Sequence, residues 1–173
     1  DGKSWENAID FQKLLGVLNT LQGNRVVNVY ISEGVYKPTS NLDRNISFVL
    51  NNTRIAGGFS INSSGTDTTM RDILNHETIL SGEIGVPDET LDNSYHVVIA
   101  KYSSTIDGFT IRDGRASCSS YGFIPGFYQF RQDNSGGGVY IPGVKSNIFI
   151  KDCKITNNSA WNSGGGICCK WSS

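Results

Sequence analysis

An internal repeat constrains this chain more than any other feature. The segment Ile106-Asp107-Gly108-Phe109-Thr110-Ile111-Arg112-Asp113-Gly114-Arg115-Ala116 falls, after a shift of 44 residues, on Ile150-Lys151-Asp152-Cys153-Lys154-Ile155-Thr156-Asn157-Asn158-Ser159-Ala160. The apolar positions coincide. So do the turns, because Asp113-Gly114 and Asn157-Asn158 are residue types that tolerate positive φ after a strand. A second match lays GGGVYI, from Gly136 to Ile141, over GGGICC, from Gly164 to Cys169, at a shift of 28. A fainter echo sets Gly58-Phe59-Ser60-Ile61 against Gly108-Phe109-Thr110-Ile111. Unequal shifts predict coils of roughly 20 to 28 residues joined by loops of variable length.

Each such unit carries a few Ile, Val or Phe residues that it cannot bury alone, so neighbouring units must stack. A period of two in Val27, Val29 and Ile31, in Ile46, Phe48 and Leu50, and in Val97 and Ile99 predicts short strands with one buried face. Only the beginning has helical spacing. Phe11, Leu14, Leu15, Leu18 and Leu21 recur at intervals of three and four, with Ser4 as an N-cap and Gly23-Asn24 as a stop. The expected architecture is therefore all-β, a right-handed parallel β-helix (solenoid) at residues 25–173. An N-terminal amphipathic helix within residues 1–24, running from Trp5 to Gln22, is expected to cap its first open edge.

DGKSWENA at the start, EGVYKP from Glu33, AGGFS from Ala56, Arg71-Asp72, TILSG from Thr78, DNSYHVV from Asp92 and STIDGFTIRDG from Ser104 come in this order. The series resembles the N-terminal portion of large bacterial-type surface proteins with pectin-lyase-like β-helices. ITNNSA at Ile155 and the GGGV and GGGI segments are similar to repeats of the polymorphic outer membrane proteins. The resemblance covers nearly the whole chain and implies a β-helix exposed on a surface, with little said about activity. Proteins of that kind are long, so it also implies a segment of a longer chain or a unit whose open end a partner covers.

Several function classes are set aside. A net charge of −1 and a pI near 6.1 give no overall basic balance for nucleic acid or acidic lipid. No apolar run approaches the ~20 residues of a membrane-spanning helix, and no signal peptide pattern opens the chain, so a soluble protein is expected with any secretion signal upstream or removed. Cys118, Cys153, Cys168 and Cys169 form no CxxC pair and lie far in sequence from His76 and His96, so no metal or other cofactor is expected. Cys153 replaces Phe109 in the repeat and reads as a small core residue. Cys168 and Cys169 must face opposite sides of a strand; one joins the core at most, and the other is free to bridge to Cys118 in an oxidising compartment. Asn45, Asn51, Asn62 and Asn157 open Asn-x-Ser/Thr sequons near expected turns and are candidate N-glycosylation sites.

Enzymes of related β-helix folds use clustered carboxylates, either for calcium or for acid–base hydrolysis. Asp107, Asp113 and Asp152 are the local candidates, but the repeat aligns them with Lys151, Asn157 and Gly108, so no shared acidic position arises. No catalytic residue is expected. The insertion at about 117–135 carries Tyr121, Phe123, Phe127, Tyr128 and Phe130, an apolar stretch that should cover something: its own flank, a subunit contact or a stacked sugar. The sequence thus predicts a non-catalytic extracellular or cell-surface module, structural or adhesive, glycosylated and displayed on a surface or built into a filament. Its expected partners are further copies of itself, other surface proteins or glycans. The alternative is a polysaccharide-active enzyme (lyase or glycoside hydrolase) or carbohydrate-binding domain of the pectin-lyase-like fold.

Overall fold

The computed structural model describes residues 2–9, 13, 16–17, 26–117, 134–143 and 147–170. Alternating apolar and polar residues place short parallel strands throughout. These are β1 (Val27–Ser32), β2 (Gly34–Tyr36), β3 (Phe48–Asn51), β4 (Thr53–Phe59), β5 (Thr78–Ser81), β6 (Val98–Lys101), β7 (Thr105–Asp107), β8 (Thr110–Arg112), β9 (Arg115–Ala116), β10 (Val139–Pro142), β11 (Phe149–Lys151), β12 (Lys154–Thr156), β13 (Ser159–Ala160) and β14 (Ile167–Lys170). They form three four-stranded sheets, β1-β4-β7-β11, β2-β5-β8-β12 and β3-β6-β10-β14, with a small β9-β13 pair. The chain visits the three sheets in the same order four times, an all-β arrangement compatible with a parallel β-helix. Beyond the strands, helical backbone among the described residues is confined to Lys13, Gly16 and Val17, a single turn at Thr90–Asp92, and Asn134.

Strand registers coincide with the sequence repeat. Ile106 lies beside Ile150, Ile111 beside Ile155 and Ala116 beside Ala160, each pair 44 residues apart. Val139 lies beside Ile167 and Tyr140 beside Cys168, each 28 apart. Three inward rows follow: Val29, Ile55, Ile106 and Ile150; Tyr36, Leu80, Ile111 and Ile155; Phe48, Val98, Val139 and Ile167. Ile106, Phe109 and Ile111 are buried, whereas Ile150, Cys153 and Ile155 pack on the same core from the fourth circuit and are half-buried. Burial of one such Ile contributes about 1.5 to 3 kcal/mol.

The GGG segments are explained by close backbone approach. A Cβ on Gly137 would meet the carbonyl oxygens of Ser159, Gly165 and Gly114, so only the smallest residue fits among them. The turn reading also holds: Asp113 and Asn157 adopt φ of 63° and 54°. Asn158 then completes the turn with its side chain, accepting from the Gly114 N–H at 2.8 Å and donating to the Ile111 carbonyl at 2.9 Å.

Two expectations need correction. The Gly58–Ile61 echo holds only in its first half: Gly58 and Gly108 both take a positive φ, of 90° and 77°, and Phe59 and Phe109 are both buried. After Phe59 the chain leaves the sheet, so Ile61 is 71% exposed where Ile111 is wholly buried. At the N-terminus no amphipathic helix is delimited. Trp5 to Ile9 form turn and coil instead of a first helical turn after a Ser4 cap, and Val17 is exposed. Phe11, Leu14, Leu15, Leu18 and Leu21, the apolar stripe behind that expectation, lie outside the described residues. The competing forces at the start are visible: Trp5 packs on Phe59 at 5.2 Å, its indole N–H donates to the Asp67 carbonyl at 2.9 Å, and Glu6 accepts from the Gly65 N–H. These long-range ties hold this stretch out of a helix.

Candidate functional site

The corner between the first and second sheets gathers the densest chemistry. Each circuit turns there: at Glu33, through residues 60–77, at Gly108-Phe109 and at Asp152-Cys153. The long second turn folds back over its neighbours. Arg71 donates from Nε to the Gly57 carbonyl at 2.6 Å and from Nη2 to both the carbonyl and the carboxylate of Asp107 at 2.8 Å. Lys151, Asp107's partner on β11, reaches the other carboxylate oxygen at 3.1 Å. One carboxylate thus ties three successive circuits.

Nearby, Glu33 faces His76 Nδ1 at 3.2 Å and accepts from the Ile61 N–H at 3.0 Å, while Thr110 donates to Glu77 at 2.6 Å. The Ile61 N–H, and after it His76, hold the Glu33 carboxyl below its ordinary range. At Asp107 partial burial pushes the carboxyl up, but Arg71 and Lys151 outweigh it and the net shift is downward. The stability this adds is present above the unfolded carboxylate value of about 3.9 and is lost as pH falls through the lower folded value. The melting-temperature gap between the native chain and Asp107→Asn should therefore be largest near pH 6 and close below about pH 4. A gap that is flat from pH 7 to pH 3 contradicts the assignment.

The other candidate carboxylates are not brought to Asp107. Asp113 turns toward the Ser81 hydroxyl at 3.1 Å and Arg112 at 3.3 Å, and Asp152 is exposed at a φ of 48°. No group of three or more His, Cys, Asp or Glu that could hold a metal ion occurs among the described residues. His96 is buried away from the corner; its ring stacks on Tyr140 at 4.9 Å and its Nδ1 lies 2.9 Å from the Gly136 carbonyl, so that nitrogen carries the proton.

No protein-family model, no curated protein and no solved structure matches the chain. The geometry must therefore carry the functional argument alone.

Cys153 is a half-buried free thiol beneath the Ile106 carbonyl, and burial pushes its pKa up, which fits the inert core role. Cys168 lies beside Tyr140 and Cys169 beside Ile141; both are free, and Cys169, on the core-side row, is exposed. Cys118 and the aromatic residues Tyr121, Phe123, Phe127, Tyr128 and Phe130 lie outside the described residues. Among the sequons, Asn45, Asn62 and Asn157 are exposed, whereas Asn51 ends β3 half-buried with its side-chain oxygen enclosed. No helix among the described residues is long and apolar enough to cross a membrane.

Sequence reasoning missed the arginine ties. Arg44, in the loop before β3, donates to the carbonyls of Asn93 at 2.6 Å and Arg115 at 3.0 Å and lies 4.1 Å over the Tyr95 ring. Both Arg44 and Arg71 sit in loops rich in Asp, Asn and Thr, outside the repeat that located everything else. An isolated Arg between turn residues was the one available signal.

Proposed function

We propose that the chain is a stretch of right-handed parallel β-helix serving as a non-catalytic extracellular module, structural or adhesive, displayed on a surface or built into a fibre. The observation that supports this most is the engagement of its carboxylates. Asp107, the acidic residue best placed on a sheet face, is occupied by Arg71 and Lys151, and Asp113 by Ser81 and Arg112. A glycoside hydrolase needs two carboxyl groups facing one bond, and a calcium-dependent lyase needs several around one ion. Here the carboxylates hold circuits together. Exposed Asn45, Asn62 and Asn157 are the sequons best suited to carry glycan, and association with further copies or other surface proteins fits a module of this kind.

Incubation with polygalacturonate, with and without calcium, should release neither unsaturated nor reducing sugar ends. Release that disappears in Asp107→Ala or Asp152→Ala would overturn the reading.

A further inference from the structure

The corner where the third sheet returns to the first has a different character from the other two. Its described residues, 51–54, 101–105, 142–143 and 147–149, hold no Asp or Glu, although the whole chain carries 16 of them. They do hold Arg54 and Lys101, both exposed and without an ion pair among the described residues. Beside them stand two exposed aromatic side chains, Tyr102 at 51% and Phe149 at 58%. Register fixes how these are arranged. Arg54, Thr105 and Phe149 are successive partners on β4, β7 and β11, and each precedes an inward Ile, so all three point outward in one row. Lys101 and Tyr102 lead the chain into that row round the corner.

Tyr102 supplies an independent observation. Its φ is 54°, a left-handed conformation that a bulky side chain seldom adopts. Asn51 pairs with Lys101, so Asn52, with a φ of 50°, occupies the equivalent place one circuit earlier, and Asn is a residue suited to it. A tyrosine here costs backbone strain and gains little packing, since half of it faces water. Strain of this kind concentrates where a side chain is needed for contact with something else.

We infer that this corner is a binding ridge for an acidic glycan, a linear polymer bearing uronate or sulfate groups. Aromatic faces stack on the C–H faces of sugar rings, Arg54 and Lys101 meet the acidic groups, and the hydroxyls of Ser103 and Thr105 suit sugar hydroxyls. Two cations spaced among neutral polar groups match a polymer with a charge on some of its sugars better than a nucleic acid with one on every unit. Asp107, the nearest carboxylate on the same sheet, is neutralised by Arg71 and Lys151 and does not repel such a ligand. The inference rests on the adhesive reading and names the partner that reading requires.

The test uses the full chain made without glycosylation and measures its binding to immobilised heparin and polygalacturonate, with neutral dextran and single-stranded DNA as comparisons. Binding to at least one acidic glycan at low salt, weakening as salt rises, is expected. Arg54→Glu combined with Lys101→Glu should abolish it. Tyr102→Asn should weaken it roughly tenfold, the change expected for the loss of one stacked aromatic. The same variant should melt at an equal or higher temperature, because Asn accepts the left-handed backbone; weaker binding therefore cannot be put down to misfolding. No binding above that to dextran, binding unaltered by the charge reversals, or tighter binding to DNA would each overturn the ridge. Cleavage of polygalacturonate would instead overturn the non-catalytic reading, so the two failures are distinguishable.

Discussion

Ile111→Asp should cost about 4 to 5 kcal/mol, enough to unfold a chain of ordinary stability. Ile111 is wholly buried, between Leu80 on β5 and Ile155 on β12 in one inward row. An aspartate there loses the transfer free energy of the Ile and brings a carboxylate among apolar side chains with no cation in the row. Val is the informative companion, since Ile111→Val removes one methylene and should cost only about 1 kcal/mol. Urea denaturation of both variants checks the ratio. Similar, small losses for the two would mean that Ile111 faces water and that the registers are wrong.

Gly137→Ala is expected to have the second largest effect, about 3 kcal/mol for adding a single methyl group. The new Cβ would lie 2.9 Å from the Gly165 carbonyl oxygen and 3.0 Å from that of Gly114, with the Ser159 oxygen closer still. All three are backbone atoms, two from the next circuit and one from Gly137's own, and none can swing aside as a flexible side chain would. Gly65→Ala is the control: its φ of 59° carries the usual left-handed cost of about 1 kcal/mol, but nothing lies within 4 Å of the added carbon. Thermal melts of the two variants should separate clearly. If Gly65→Ala proves the more damaging, close stacking of the GGG segments is not what these glycines provide.

Much of the fold was legible because stacking imposes one requirement on every circuit. Ile106 and Ile150 fill equivalent places, and the shift of 44 read from the sequence is the register their strands adopt. GGGVYI over GGGICC likewise became the β10–β14 pairing. The echo at Gly58 held for Gly-Phe, which opens the same corner on successive circuits, and failed at Ile61, because the chain there runs out into residues 60–77 whereas Thr110-Ile111 continue directly into β8. Helical spacing at the N-terminus misled from Trp5 to Ile9 because a single aromatic contact on Phe59, with ties to the 65–67 loop, outweighs local propensity there.

The candidate site was less legible. Asp107, Asp113 and Asp152 were identified as residues, and their separation followed from the repeat, but what binds them did not. Arg71 reaches Asp107 from a loop 36 residues earlier, a contact created by the fold and by no spacing in the sequence. The third corner was hidden for a related reason. A net charge of −1 averages over faces that the fold segregates, so a carboxylate-free stretch with Arg54 and Lys101 leaves no trace in composition.

The central claim is that successive circuits pair in parallel at the register of the repeat, and a cross-linking measurement tests it directly. In a chain whose four native cysteines are replaced by Ser, Thr105→Cys and Phe149→Cys would place two thiols on neighbouring strands at partnered positions, with Cα atoms about 4.8 Å apart. That is within disulfide reach, whereas Thr105→Cys with Lys151→Cys is offset by two residues and lies beyond the limit of about 7 Å. Mild oxidation followed by intact mass should show an intramolecular bond in the first pair and none in the second. Cross-linking of the offset pair in preference to the partnered one would contradict the stacked, repeat-registered fold.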